Sequence, residues 1–272
     1  MKETPLFFPG DGVSLFGVFA EPARRIGGRP AFVFCHPFGE EKLWTHRACV
    51  SFARELVQLG YPVLRFDQRG NGDSDAEFSE TSLATAVQDT MSAIETAKRL
   101  SGADAVSLLG LRLGGAVAAL VADERDDVRH LILWAPIVDG HRFAQELLRV
   151  NLATQMALHK EIREDRTVLV ARLKDGGTVN VDGYPLSSAF YAQLETLKLA
   201  DAPRAFAGPC LVVQIERAAD APPAAELTRL QACYRHASHV IVQEEPFWKE
   251  IERFYETAPN LSRATLAWLE RQ

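Results

Sequence analysis

Gly110-Leu111-Arg112-Leu113-Gly114 sets an arginine midway between two glycines, at the point where an apolar strand pattern gives way to a helical one. Glycines at that spacing permit a turn in which the backbone comes close to itself on both sides, and the central side chain stands above the sheet edge. A helix that starts there directs its first N–H groups and the positive end of its dipole toward whatever sits above the turn. The guanidinium adds a fixed charge and a planar fork of donors, but it has no nucleophilic lone pair. The chemistry on offer is recognition of a carboxylate or phosphate. Two arrangements satisfy the charge: an anionic ligand, or an internal salt bridge to Glu216, Glu244 or Glu245. They coexist if a ligand displaces one carboxylate.

Two further loops carry candidate residues. Cys35-His36-Pro37-Phe38-Gly39-Glu40-Glu41 follows a short, wholly apolar run, and Phe66-Asp67-Gln68-Arg69-Gly70-Asn71-Gly72-Asp73-Ser74 follows the next strand pattern. His36 is a candidate general base, although a lone histidine in such a loop more often orients it by bonding to backbone. Asp67, Arg69 and Ser74 read as braces of their own loop. Ser107 lies inside a strand and Cys35 ends one, so both read as packed side chains rather than nucleophiles.

Three glycine loops in this order, each at a strand end, resemble the α/β-hydrolase superfamily over nearly the whole chain. Gly110-Leu111-Arg112-Leu113-Gly114, the His36-Pro37-Phe38-Gly39-Glu40-Glu41 loop and Glu245-Pro246-Phe247-Trp248 further resemble the exosortase A system-associated hydrolases of the second type. The resemblance implies a mostly parallel sheet of about eight strands, helices on both faces and an inserted cap over the carboxyl ends of the strands. It implies oxyanion or anion donors at Phe38, Gly39, Arg112 and Leu113, with Glu244 and Glu245 at the pocket and Phe247 and Trp248 as core or pocket wall. It also implies a protein partner in an exopolysaccharide or protein-sorting pathway.

The superfamily's catalytic triad does not carry over. Its nucleophile falls on Arg112, its acid falls on Ala218 within Glu216-Arg217-Ala218-Ala219-Asp220, and no histidine follows His239 anywhere in the chain. Two functions follow. One is hydrolysis of an acyl ester or thioester, with Glu216 or His36 activating water beside Arg112. The other is an inactive hydrolase that binds a small anionic ligand or an acyl-carrier partner.

The elements that must position these residues alternate. A hairpin turning at Pro9-Gly10-Asp11-Gly12 opens the chain. Apolar runs at 31–35, 61–66, 106–109, 131–134, 210–215 and 239–242 alternate with helical patterns at 44–59, 82–100, 114–122, 224–234 and 262–269, which predicts a parallel sheet covered on both faces. The alternation breaks over 138–203. There two helical patterns, 143–158 and 187–199, flank an expected strand pair, Thr167–Leu173 and Thr178–Val181, turning at Asp175-Gly176-Gly177. The expected organisation is a core in two pieces, 1–137 and 204–272, and a cap of 138–203.

The 272 residues have 47% hydrophobic and 24% charged side chains, ordinary for a soluble globular protein, and a net charge of −6, which argues against nucleic acid as a partner. No secretory signal and no membrane span are read. Cys35, Cys49, Cys210 and Cys233 have neither CxxC nor zinc spacing, so they read as reduced thiols of a cytoplasmic protein, with no metal and no cofactor expected.

Overall fold

The computed structural model describes residues 1–24, 26–249 and 255–272. Strands β1 (Lys2–Pro9) and β2 (Ser14–Glu21) form the expected hairpin, followed by β3 (Ala31–Cys35), α1 (Glu40–Gln58), β4 (Val63–Phe66), α2 (Leu83–Ser101), β5 (Val106–Leu111), α3 (Leu113–Asp123) and β6 (Val128–Trp134). An insertion comes next: α4 (Gly140–His159), α5 (Arg166–Lys174), β7 (Thr178–Val181), β8 (Tyr184–Ser187) and α6 (Ser188–Thr196). The core resumes with β9 (Cys210–Glu216), α7 (Ala225–Ala232), β10 (Ala237–Gln243) and α8 (Pro259–Leu269).

Eight strands make one sheet in the order β1-β2-β4-β3-β5-β6-β9-β10. β2 is antiparallel to both of its neighbours, and the other pairs are parallel. This is the α/β-hydrolase arrangement that the three loops imply. Strands buried on both faces explain the unbroken apolar runs: all five residues of β3 and all six of β5 are buried. One face packs against α2, α3 and α7, the other against α1 and α8.

After β3 the chain proceeds to β4 on one side, while after β5 it proceeds to β6 on the other. The order of the sheet therefore switches between β3 and β5, and a crevice opens at their carboxyl ends. The His36–Glu41 loop and the Arg112 turn both start there.

The insertion differs from the sequence expectation in one element. Thr167–Leu173 lies in helix α5, because the Asp165 side chain accepts a hydrogen bond from Val168 N at 3.0 Å and caps it, and Leu169 and Leu173, one turn apart, are both fully buried. The partner of Thr178–Val181 is instead β8, reached through Asp182-Gly183. A run rich in valine and leucine fits either period, and here the cap decided between them.

Below the sheet, Asp127 accepts from Arg125 Nε at 2.7 Å and from Lys98 Nζ at 2.5 Å, and Arg125 holds its carboxyl down at about 2. A lowered carboxylate contributes stability above its unfolded value near 3.9, and the contribution disappears as pH falls from about 4 to 2. Asp127→Asn is therefore expected to cost about 1–2 kcal/mol at pH 7, allowing for solvent screening, and much less at pH 2.5. Denaturant midpoints of both proteins at the two pH values check this.

Candidate functional site

Arg112 adopts φ 54° and ψ −121°, the strained turn required by a side chain standing above a sheet edge between a strand and a helix. Its backbone is fixed by Arg112 N donating to Trp134 O at 3.0 Å and by Ile137 N and Gly115 N donating to Arg112 O. The flanking glycines are obligatory. A Cβ on Gly110 would lie 2.2 Å from Gly114 O, and one on Gly114 would lie 2.0 Å from Cys35 O. Backbone blocks both positions, so neighbouring side chains cannot relieve the clash. Gly114→Ala is expected to lose at least about 3 kcal/mol or to fail to fold, read from chemical denaturation. A well-folded Gly114→Ala protein would mean that the turn tolerates separation from the β3 loop.

Gly39 precedes α1 with φ 57° and ψ −132°, nearly the conformation of Arg112 before α3. Two helices therefore begin at one cavity, each with free first-turn N–H groups and a positive dipole end. Glu40 and Glu41 occupy the first turn of α1 and answer part of that potential.

The Arg112 side chain is 15% exposed. Its Nε donates to Glu41 Oε1 at 3.0 Å, and its Nη2 donates to Glu146 Oε2 of α4 at 3.3 Å. The guanidinium carbon lies 5.4 Å from the Trp248 ring and 5.9 Å from the Phe143 ring, both within cation–π range. Glu41 is 21% exposed and Glu146 49%, so the first contact is enclosed and the second opens to solvent. Burial raises the Glu41 carboxyl above its usual range, against the lowering influence of Arg112. Glu41 Oε2 is buried and has no hydrogen-bond partner among the described residues.

These groups line a cavity of about 1190 Å³ between the sheet edge and the insertion. Phe38, Gly39, Glu41, Trp44, Arg112, Trp248 and Lys249 form its floor and one side. On α4, Leu147, Val150, Ala153, Ala157 and Leu158 form a mostly apolar wall that also carries Arg149 and Thr154, and Tyr184 lines the cavity as well.

Among the sequence candidates, Phe38, Gly39, Arg112 and Trp248 meet here, with Leu113 buried beneath as the first residue of α3. Glu216 is not the partner of Arg112, because it accepts from Gln214 Nε2 at 3.1 Å. Glu244 accepts from Asn260 N and so serves the start of α8, and Glu245 pairs with Arg217 at 2.6 Å. All three carboxylates are used by near neighbours, leaving the β3 loop and α4 to supply the counterions. Phe247 is core rather than wall, 1% exposed and edge-on to Trp248. His36 is absent from the cavity wall, and burial together with Lys42, Arg65 and His46 pushes it well below its usual value, which leaves it neutral.

Glu41 and Glu146 were missed as partners. Glu41 had a usable signal, since it lies in the loop that must sit beside the turn. Glu146 had none, because only the path of α4 across the cavity brings it near.

None of the sequence candidates supplies a nucleophile in place of the arginine. Ser107 Oγ lies 2.9 Å from His130 Nδ1, but the two are buried neighbours in β5 and β6, away from the cavity, and burial lowers His130 to about 4. Burial pushes the Cys35 thiol up to about 12. Asp67, Arg69 and Ser74 brace their loop as expected: Arg69 pairs with the buried Asp89 at 2.7 Å, Ser74 Oγ donates to Asp67 O at 2.6 Å, and Lys42 ties Asp67 to α1 at 2.5 Å. Among the described residues no group of three or more His, Cys, Asp and Glu could hold a metal, and no helix is long and apolar enough to cross a membrane.

A family model described as serine aminopeptidase, S33, matches residues 28–180, more than half of the 272-residue chain. Human protein ABHD12B is 34% identical over 116 residues, 41% of this chain, and the match spans only 31% of that relative. Est1E from Butyrivibrio proteoclasticus, solved with ferulic acid bound, superimposes with a TM-score of 0.74 at 19% identity over 98% of both chains. The proline iminopeptidase of Mycobacterium smegmatis gives 0.63 at 13% identity, covering 99% of this chain and 98% of that one. At those identities the two structures speak for the fold alone.

Proposed function

Because the chain belongs to the serine aminopeptidase S33 family of α/β-hydrolases but holds an ion-paired arginine at the nucleophile position, we propose that it is a ligand-binding member of that family, whose strained turn receives the carboxylate of an acyl compound. The observation that carries this reading is the Arg112 side chain, gripped firmly by Glu41 and loosely by Glu146, at the head of a cavity with an apolar wall. A carboxylate entering the cavity replaces Glu146 on Nη2, while Glu41 keeps the guanidinium in place. The chain of the ligand runs along α4. In this reading the division into core pieces 1–137 and 204–272 and cap 138–203 is functional: the cap supplies both the apolar wall and the displaceable counterion.

The narrower resemblance to exosortase A system-associated hydrolases belongs to the same proposal. It suggests a cytoplasmic protein that serves an exopolysaccharide or protein-sorting pathway, holding a free acyl ligand or one delivered by an acyl-carrier partner.

Glu146→Gln tests the displacement. Loss of a competing, half-exposed anion should tighten binding of laurate about twofold to fivefold, the range of a surface ion pair. Weaker binding would show that Glu146 does not compete for Arg112.

A second reading has one specific observation in its favour. Glu41, with a raised carboxyl and a free Oε2, could accept a proton from water attacking an acyl ester or thioester, with first-turn N–H groups of α3 steadying the oxyanion. Turnover of p-nitrophenyl esters that disappears in Glu41→Gln would favour it.

A further inference from the structure

Four of the nine large apolar side chains exposed among the described residues lie where α4 ends and α5 begins: Met156 (45% exposed), Leu158 (71%), Ile162 (50%) and Val168 (46%). The segment between the two helices folds back on α4, because Gln155 Oε1 accepts from Arg163 N and Glu164 N, each at 2.9 Å. The four side chains therefore belong to one corner of the insertion. Leu169 and Leu173 already dock α5 by their burial, so Val168 is not needed for packing. Leu158 also lines the cavity, which brings the patch to the cavity edge. Exposed apolar clusters of this kind mark surfaces that something covers.

The charges around the patch identify the occupant. From Met156 to the end of α5 at Lys174 there are five basic and three acidic residues, in a chain whose net charge is −6. All three acids are engaged: Glu161 pairs with Arg163, Glu164 with Arg172, and Asp165 caps α5. Lys160 and Arg166, which alternate with the apolar residues, have no ion-pair partner among the described residues. Apolar side chains edged by free cations fit an anionic lipid surface, the former sinking toward the acyl chains and the latter meeting headgroups. Salt confines that attraction to about 10 Å, so the acidic remainder of the chain opposes it little when this corner faces the surface.

We propose that this corner docks on an anionic lipid surface, with the cavity edge at Leu158 turned toward it. The docking stands on exposure and charge alone; delivery of an acyl ligand from the lipid to the cavity rests on the reading of Arg112 as a carboxylate receptor.

Co-sedimentation of the full chain with two kinds of vesicle tests the docking: phosphatidylcholine alone, and phosphatidylcholine mixed equally with phosphatidylglycerol. The anionic vesicles should bind at least about tenfold more tightly. Lys160→Gln with Arg166→Gln should weaken that binding about twentyfold, roughly fivefold for each cation near a charged surface. Ile162→Gln with Val168→Gln should weaken it about tenfold and leave calorimetric binding of laurate in solution unchanged, since neither residue lines the cavity. Equal binding to the two vesicles, or none to either, would overturn the proposal, as would wild-type binding by both double variants. A dimer seen by sedimentation velocity without lipid, and dissolved by Ile162→Gln with Val168→Gln, would give the patch to a second copy of the chain and overturn it as well. Docking on anionic vesicles without laurate binding would leave the surface standing and overturn the receptor alone.

Discussion

Replacing Arg112 by Met is expected to destabilise the protein by about 2 kcal/mol, and the double variant Arg112→Met with Glu41→Gln is expected to recover most of that loss. Methionine keeps comparable length but leaves the Glu41 carboxylate without its counterion, in a place where burial already raises its carboxyl. Removing one partner of a fully buried ion pair typically costs ~3–5 kcal/mol; the 15% and 21% exposure of these two side chains lowers the figure. Glu41→Gln then removes the stranded charge, and a neutral amide beside a thioether is far less costly to bury. Denaturant unfolding of the four proteins gives the coupling energy directly. Additive effects of the two substitutions would show that Glu41 and Arg112 do not stabilise one another, and the pair would lose its structural meaning.

The strained turn and its glycines were legible in the sequence because backbone contact restricts the residue types there. Gly110 and Gly114 face carbonyl groups at distances no Cβ can occupy, and the parallel sheet followed from apolar runs that must be covered on both faces. The partner of Arg112 was not legible. Glu216, Glu244 and Glu245 occupy the right strand ends, but Gln214, Asn260 and Arg217 satisfy them locally. Which carboxylate wins depends on side-chain reach across the crevice and on the course of α4, and neither leaves a periodic trace. The helix at 166–174 was missed for a related reason: a valine- and leucine-rich run fits a strand until the Asp165 cap and the buried Leu169 and Leu173 pair are seen together.

Arg112→Ser, which restores the G-x-S-x-G pattern, is expected to give no esterase turnover above background, a rate about 10⁶-fold below that of a working serine hydrolase. A serine hydroxyl at this turn needs a base within hydrogen-bond reach and a group to orient that base. No histidine follows His239 in the chain, the acid position is Ala218, and His36 stands outside the cavity wall. Glu41 remains nearby, but a carboxylate is a weak base for a hydroxyl and has no donor behind it to set its direction. Release of p-nitrophenol from short-chain esters measures the outcome. A burst of product from Arg112→Ser followed by slow turnover would reveal an activating base that the geometry does not provide.

Whether Arg112 receives a carboxylate, rather than standing in for a lost nucleophile, is read from calorimetric titration of the wild type and Arg112→Ala with laurate. One laurate should bind per wild-type chain, with an affinity about tenfold to a hundredfold lower in Arg112→Ala, the worth of a charge-assisted hydrogen bond. Equal laurate affinity in the two proteins would contradict it.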